Sequence, residues 1–103
     1  MKSRYEIRLN FRQAMTQADR LDEVARQLEN LSDRDMESSL RTLSSSWKGE
    51  NASAFLQKGD ILKGNIRNTA GAVRGTAGDI RTIARRIYQA EMDALRIAST
   101  RRS

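Results

Sequence analysis

The sequence predicts an all-α protein, an antiparallel two-helix hairpin that bends at a Trp-X-Gly turn and dimerises through a surplus apolar face. Three observations predict it. The 103 residues contain no proline, the strongest helix breaker. Two long runs of apolar residues at helical spacing flank Trp47-Lys48-Gly49, which holds the only tryptophan and the first of six glycines. The second run is apolar over a face wider than one antiparallel neighbour covers. About a hundred residues make one domain, so residues 1–103 are expected as a single unit: helix 1 over about 6–45, turn 46–50, helix 2 over 51–98 and a short basic tail 99–103.

In the first run Phe11, Ala14, Ala18, Leu21, Ala25 and Leu28 recur in steps of three and four, and the rhythm resumes at Met36, Leu40, Leu43 and Trp47. Between Leu28 and Met36 the phase slips by one residue. Phe11 and Trp47 are 36 positions apart, about ten turns, so a straight helix keeps both on one face. The pattern favours one continuous helix. The rival is a break at Ser32, where Ser32-Asp33-Arg34-Asp35 resembles a capping box opening a new helix.

At the turn, Ser44-Ser45-Ser46 weakens the first helix and Gly49 supplies the left-handed backbone that ends one. Gly49 or Asn51 then caps the second. Trp47 is expected to fold over the closed end of the hairpin and cover its last core layer. The plainer view makes Trp47 a core plug and Gly49 a terminator.

The second run alternates steps of four and three through Phe55, Gly59, Leu62, Ile66, Thr69, Val73, Thr76, Ile80, Ile83, Ile87, Ala90, Ala94 and Ile97. Six heptads of seam predict lasting helix–helix contact, with Phe55, Leu62, Ile66, Val73, Ile80, Ile83 and Ile87 binding a partner. Ala70, Ala77, Ala84 and Ala98 occupy the neighbouring heptad position and widen the face. Gly59, Gly64, Gly71, Gly75 and Gly78 each cost about 0.8–1 kcal/mol against alanine in a helix. Either close backbone packing offsets that cost or the stretch frays until a partner binds, and both point to assembly. Thr100-Arg101-Arg102-Ser103 is expected as a frayed tail.

Charge and composition exclude much. With neither histidine nor cysteine, the usual zinc and copper ligands and nucleophile–base pairs are missing, no disulfide is possible and no cofactor is implied. Catalysis has no basis, because Asp19, Asp22, Glu23 and Glu29 are spaced for surface ion pairs with Arg20 and Arg26. Gly71-Ala72-Val73-Arg74-Gly75 lacks the ending of a phosphate loop. The start has basic residues without the apolar run of a secretory signal. All of the net charge of +6 falls on residues 48–103, since residues 1–47 carry eight basic and eight acidic side chains. Arg67, Arg74 and Arg81 repeat every seven positions, with Arg85 and Arg86 beyond, either as a strip for an acidic helix or phosphates or as solubilising charge beside the seam. No helix-turn-helix rhythm or interleaved aromatics support nucleic-acid binding.

Trp47-Lys48-Gly49 at mid-chain, an aromatic eight residues on at Phe55, the total length, two amphipathic helices, no signal peptide and no cysteine together resemble the hundred-residue WXG proteins, ESAT-like substrates of type VII (Esx/Yuk-like) secretion. The resemblance implies hairpins that pair into four-helix bundles, as homodimers or as heterodimers with another WXG- or LXG-type helical protein. It implies export, without a signal peptide, from the bacterial cytoplasm where they are made, driven by an FtsK/SpoIIIE-type ATPase. The family's export signal is Tyr-X-X-X-Asp/Glu on the second helix. Here Tyr88-Gln89-Ala90-Glu91-Met92 places Met92 where the acid belongs, leaving Tyr88 with Glu91 as a degenerate signal or a partner to supply one. That departure favours a co-secreted targeting partner of a larger toxin. Two readings of other classes remain: a basic helical module binding nucleic acid or anionic membrane through residues 63–86, and a cytoplasmic coiled-coil adaptor.

Overall fold

The computed structural model describes residues 2–102 and contains helices and a turn, with no strand among the described residues. Helix α1 spans Arg4–Asn30 and passes without a break into a π-helical segment, Leu31–Met36, which continues as α2, Glu37–Ser46; α3 spans Glu50–Arg102. The chain is therefore a helical hairpin with a three-residue connection, Trp47-Lys48-Gly49.

Local chemistry sets the ends. Ser3 Oγ accepts the Glu6 amide at 3.1 Å, and a Ser with Glu three residues on is an N-terminal cap signature. It starts the helix ahead of the expected residue 6. At the far end α3 runs on through Arg102, past the expected end at 98. Nothing in Ser99-Thr100-Arg101-Arg102 breaks a helix, and arginines suit the negative end of its dipole. Ser103 of the expected tail lies outside the described residues, as does Met1.

The π-helical segment falls where the apolar rhythm slips. One wide turn absorbs the extra residue between Leu28 and Met36 without ending the helix, so the break at Ser32 does not occur. Ser32 stays on the inner face instead, fully buried, with Oγ 3.2 Å from the Lys63 carbonyl to which it donates.

The contacts divide into two compact units, Met1–Leu21 with Gly75–Ser103, and Asp22–Arg74. In each, the buried hydrophobic positions are almost all alanine: Ala18, Ala77 and Ala84 with Ile7 in the first unit, Ala25, Ala52 and Ala70 in the second. Alanine at heptad spacing lets two helices approach closely while burying little area per residue. Gly59 shows the same tightness, since a Cβ there would collide with the δ-methyls of Leu40. Gly64, Gly71, Gly75 and Gly78 face open space, so packing inside this chain offsets the cost of Gly59 alone.

Candidate functional site

Trp47 ends α2 with an extended backbone, φ −118° and ψ 120°, while its amide still donates to the Leu43 carbonyl at 2.8 Å. Gly49 takes φ +115°, the one positive value among the described residues. Its carbonyl accepts the Ser53 amide at 3.1 Å, so Gly49 opens α3, and Asn51 is already inside it. Any side chain at 49 would be strained by the backbone angle and not by neighbours, because a Cβ at that position would meet nothing within 4 Å. The Trp47 ring meets Phe55 at 5.6 Å between centroids, tilted by 56°. It does not seal the core, as Trp47 remains 44% exposed.

The seam divides between two environments. Ala70, Ala77 and Ala84 take the buried line, Ile66, Val73 and Ile80 are half-buried beside it, and Phe55, Leu62, Ile83 and Ile87 stand 50–54% exposed. In the Asp22–Arg74 unit the exposed side chains border an open apolar groove of about 320 Å³ lined by Leu31, Met36, Leu40, Leu43, Phe55 and Leu62. In the other unit a smaller hollow of about 220 Å³ lies over Phe11, Ala14, Ala84, Ile87 and Tyr88.

Tyr88 and Glu91 are both engaged within their unit. The Tyr88 ring packs on Phe11 at 5.0 Å, and Glu91 pairs with Lys2 at 3.1 Å. Asp93, the other acid near the tyrosine, accepts from Gln89 at 3.0 Å.

The basic stripe forms cross-helix ion pairs. In the Asp22–Arg74 unit Lys63 bonds Glu37, Arg67 lies 3.4 Å from Asp33, and Arg74 bonds Glu29 with Asp22 at 3.9 Å. In the other unit Arg81 reaches Asp19 at 2.8 Å. Asp19, Asp22 and Glu29, expected to pair along their own helix, pair across the hairpin instead. The arginines repeat every seven residues, while the acids that answer them, Asp33, Glu29, Asp22 and Asp19, step by four, seven and three along the first helix, so spacing alone does not announce the pairing.

The pairs shift their members' protonation. The Lys63 hydrogen bond holds the Glu37 carboxyl below the usual glutamate value, with the Lys63 and Arg41 charges adding to it, and raises Lys63 in return. Arg74 does the same to Glu29. Carboxyls lowered in the folded state stabilise it above the usual glutamate pKa of about 4.3, and that contribution fades as pH falls through the lowered values. Thermal melts between neutral pH and about pH 3 should therefore show a steeper acid loss of Tm in the wild type than in a Glu29→Gln/Glu37→Gln variant. Equal losses would mean the two pairs contribute nothing.

Among the described residues no cluster of acids could hold a metal ion, and no helix is long and apolar enough to cross a membrane. No curated protein and no solved structure matches the chain. A family model described as proteins of 100 residues with WXG matches residues 6–92. That family comprises small helical proteins associated with type VII secretion, not known as enzymes, which typically pair with other helical WXG proteins. With the match covering the turn, both helices and most of the chain, the protein belongs to the WXG100 family.

Proposed function

We propose that this protein is a non-enzymatic substrate or co-secreted targeting partner of a type VII secretion system, acting by helical-bundle pairing with a second helical hairpin. The observation that carries this reading is the line of large apolar side chains left exposed on a chain whose own core is alanine. Phe55, Leu62, Ile66, Val73, Ile80, Ile83 and Ile87 supply the seam of a four-helix bundle, formed with itself or with the helical domain of a larger exported toxin.

Trp47 and Gly49 belong to the export signal in this proposal. Half-exposed on Phe55 at the closed end, the indole is available for recognition, and an FtsK/SpoIIIE-type ATPase is the proposed receptor. Tyr88 and Glu91 are the weaker half of the signal, since both are occupied within the chain, and the paired protein supplies the missing half. The alternative, a basic module acting through residues 63–86, is weakened because Lys63, Arg67, Arg74 and Arg81 are paired with acids of the first helix.

Export from a bacterium carrying a type VII system tests the reading. Trp47→Ala should accumulate normally in cells and fall at least about tenfold in the medium, the loss of about 1.4 kcal/mol of recognition. Deleting the secretion ATPase should abolish export of the wild type. Normal export of the Trp47 variant would remove the indole from the signal, and export without the ATPase would sink the pathway.

A further inference from the structure

The ion-pair flank changes character at one end. In the Met1–Leu21/Gly75–Ser103 unit it holds Asp19 against Arg81. Arg12 and Arg8 precede Asp19 by seven and eleven residues, two and three turns of helix, so they lie on the same face of α1. Arg85 follows Arg81 by one turn on α3. By the register of the pairs Arg67–Asp33 and Arg81–Asp19, Arg85 comes level with Met15, one turn from Arg12, where no acid stands.

Of the acids on α3 in this unit, Glu91 pairs with Lys2 and Asp93 with Arg96. Glu6 is the only acid between residues 2 and 18, and its thirteen-residue offset from Asp19 turns it to the other side of α1. Arg4, Arg8, Arg12 and Arg85 are exposed, and none has an ion-pair or side-chain hydrogen-bond partner among the described residues. This unit holds eleven basic and five acidic residues against eight and eight in the other, so it carries the entire net charge of +6. Arg4, Arg8 and Arg12 are mutually repulsive at i, i+4 spacing, and the first two sit in the opening turns of a helix, where its dipole disfavours cations.

Beside the arginines, one position on, run Tyr5 and Leu9, 70% and 37% exposed. Tyrosine and arginine together mark the centres of protein interfaces. A nucleic-acid backbone would neutralise the arginines and leave Leu9 against phosphate. A membrane would take two apolar side chains, too little area to hold a protein without a larger inserted face. An acidic amphipathic helix meets both stripes at once, because its carboxylates at i, i+4 repeat at the about 6 Å spacing of Arg4, Arg8 and Arg12.

We propose that the opening three turns of α1, with Arg85 of α3, form a second docking surface for an acidic α-helical segment of a partner protein. It is separate from the apolar seam and does not depend on the secretion reading.

The test uses a fluorescein-labelled synthetic helical peptide with glutamate at i, i+4 beside leucine, titrated into the full chain and followed by anisotropy. Arg8→Gln/Arg12→Gln/Arg85→Gln should weaken binding about tenfold or more, and Arg34→Gln/Lys48→Gln/Lys58→Gln, which removes the same charge from the other unit, should leave it within about twofold. Equal loss in both would reduce the effect to bulk charge and overturn the proposal. So would tighter binding of the wild type to a DNA duplex or to phosphatidylglycerol vesicles at the same salt. The first variant should melt no lower than the wild type, since it relieves repulsion. If it loses helicity instead, the wild type's backbone amide shifts on adding peptide decide. Changes centred on residues 4–12 and 81–89 support the surface, and changes centred elsewhere overturn it.

Discussion

A chain carrying Leu31→Asp and Leu62→Asp is expected to lose its capacity to pair while keeping its helicity. Both side chains border the groove of the Asp22–Arg74 unit, at 40% and 53% exposure. About half of each has already left water on folding, so the hairpin retains that share. Covering the remainder stabilises a complex by about 1 kcal/mol per side chain, and an aspartate in its place adds the cost of dehydrating a charge. In a symmetric pair both chains carry both changes, so the total reaches about 4–6 kcal/mol, a weakening of dissociation by roughly three to four orders of magnitude. Sedimentation alone and with a co-purified partner measures it, and circular dichroism reports the helix content. Ile83→Asp with Ile87→Asp makes the same test in the other unit, where both are exposed. Undiminished association in both variants would place the interface elsewhere and remove the apolar flank from the proposal.

Ala70→Leu and Ala77→Leu are expected to have the opposite signature, with the hairpin itself destabilised. Both alanines are fully buried, so three more carbons at either position have to displace the atoms that cover it. Overpacking costs about 1–3 kcal/mol per site, which in a chain of this size lowers Tm by several degrees per kcal/mol, about 4–8 °C. Ala90→Leu, on an exposed position of the same helix, should be close to neutral, since the two residues differ little in helix propensity. A wild-type melting curve for either buried substitution would show that α3 is not held against the first helix by its alanine line. The two experiments together separate what folds the chain from what assembles it.

Much of this was legible without coordinates. Two helical runs follow from periodicity and the absence of proline, and the bend follows from Trp47-Lys48-Gly49. The slip between Leu28 and Met36 marked the irregular stretch and favoured a continuous helix over a break, although its π-helical form depends on hydrogen bonds that spacing does not reveal. The rival reading, a break at Ser32, fails for a reason that spacing does not show. Alone, a serine before two acids reads as a cap; placed against the Lys63 carbonyl, it is a buried polar contact across the hairpin.

By itself, the sequence determined the fold class, the position of the bend, the family and the surplus of apolar surface, because helical periodicity and turn chemistry act between residues near each other in the chain. Only the tertiary structure decided which side of the wide apolar face turns inward. The small alanines go in and the bulky Phe55, Leu62, Ile83 and Ile87 stay out, since close helix approach favours the smallest side chains at the contact line. It also decided that Lys63, Arg67, Arg74 and Arg81 answer acids on the first helix while Arg4, Arg8, Arg12 and Arg85 do not. Charge pairing across a hairpin depends on the register of two helices, and register is set by packing.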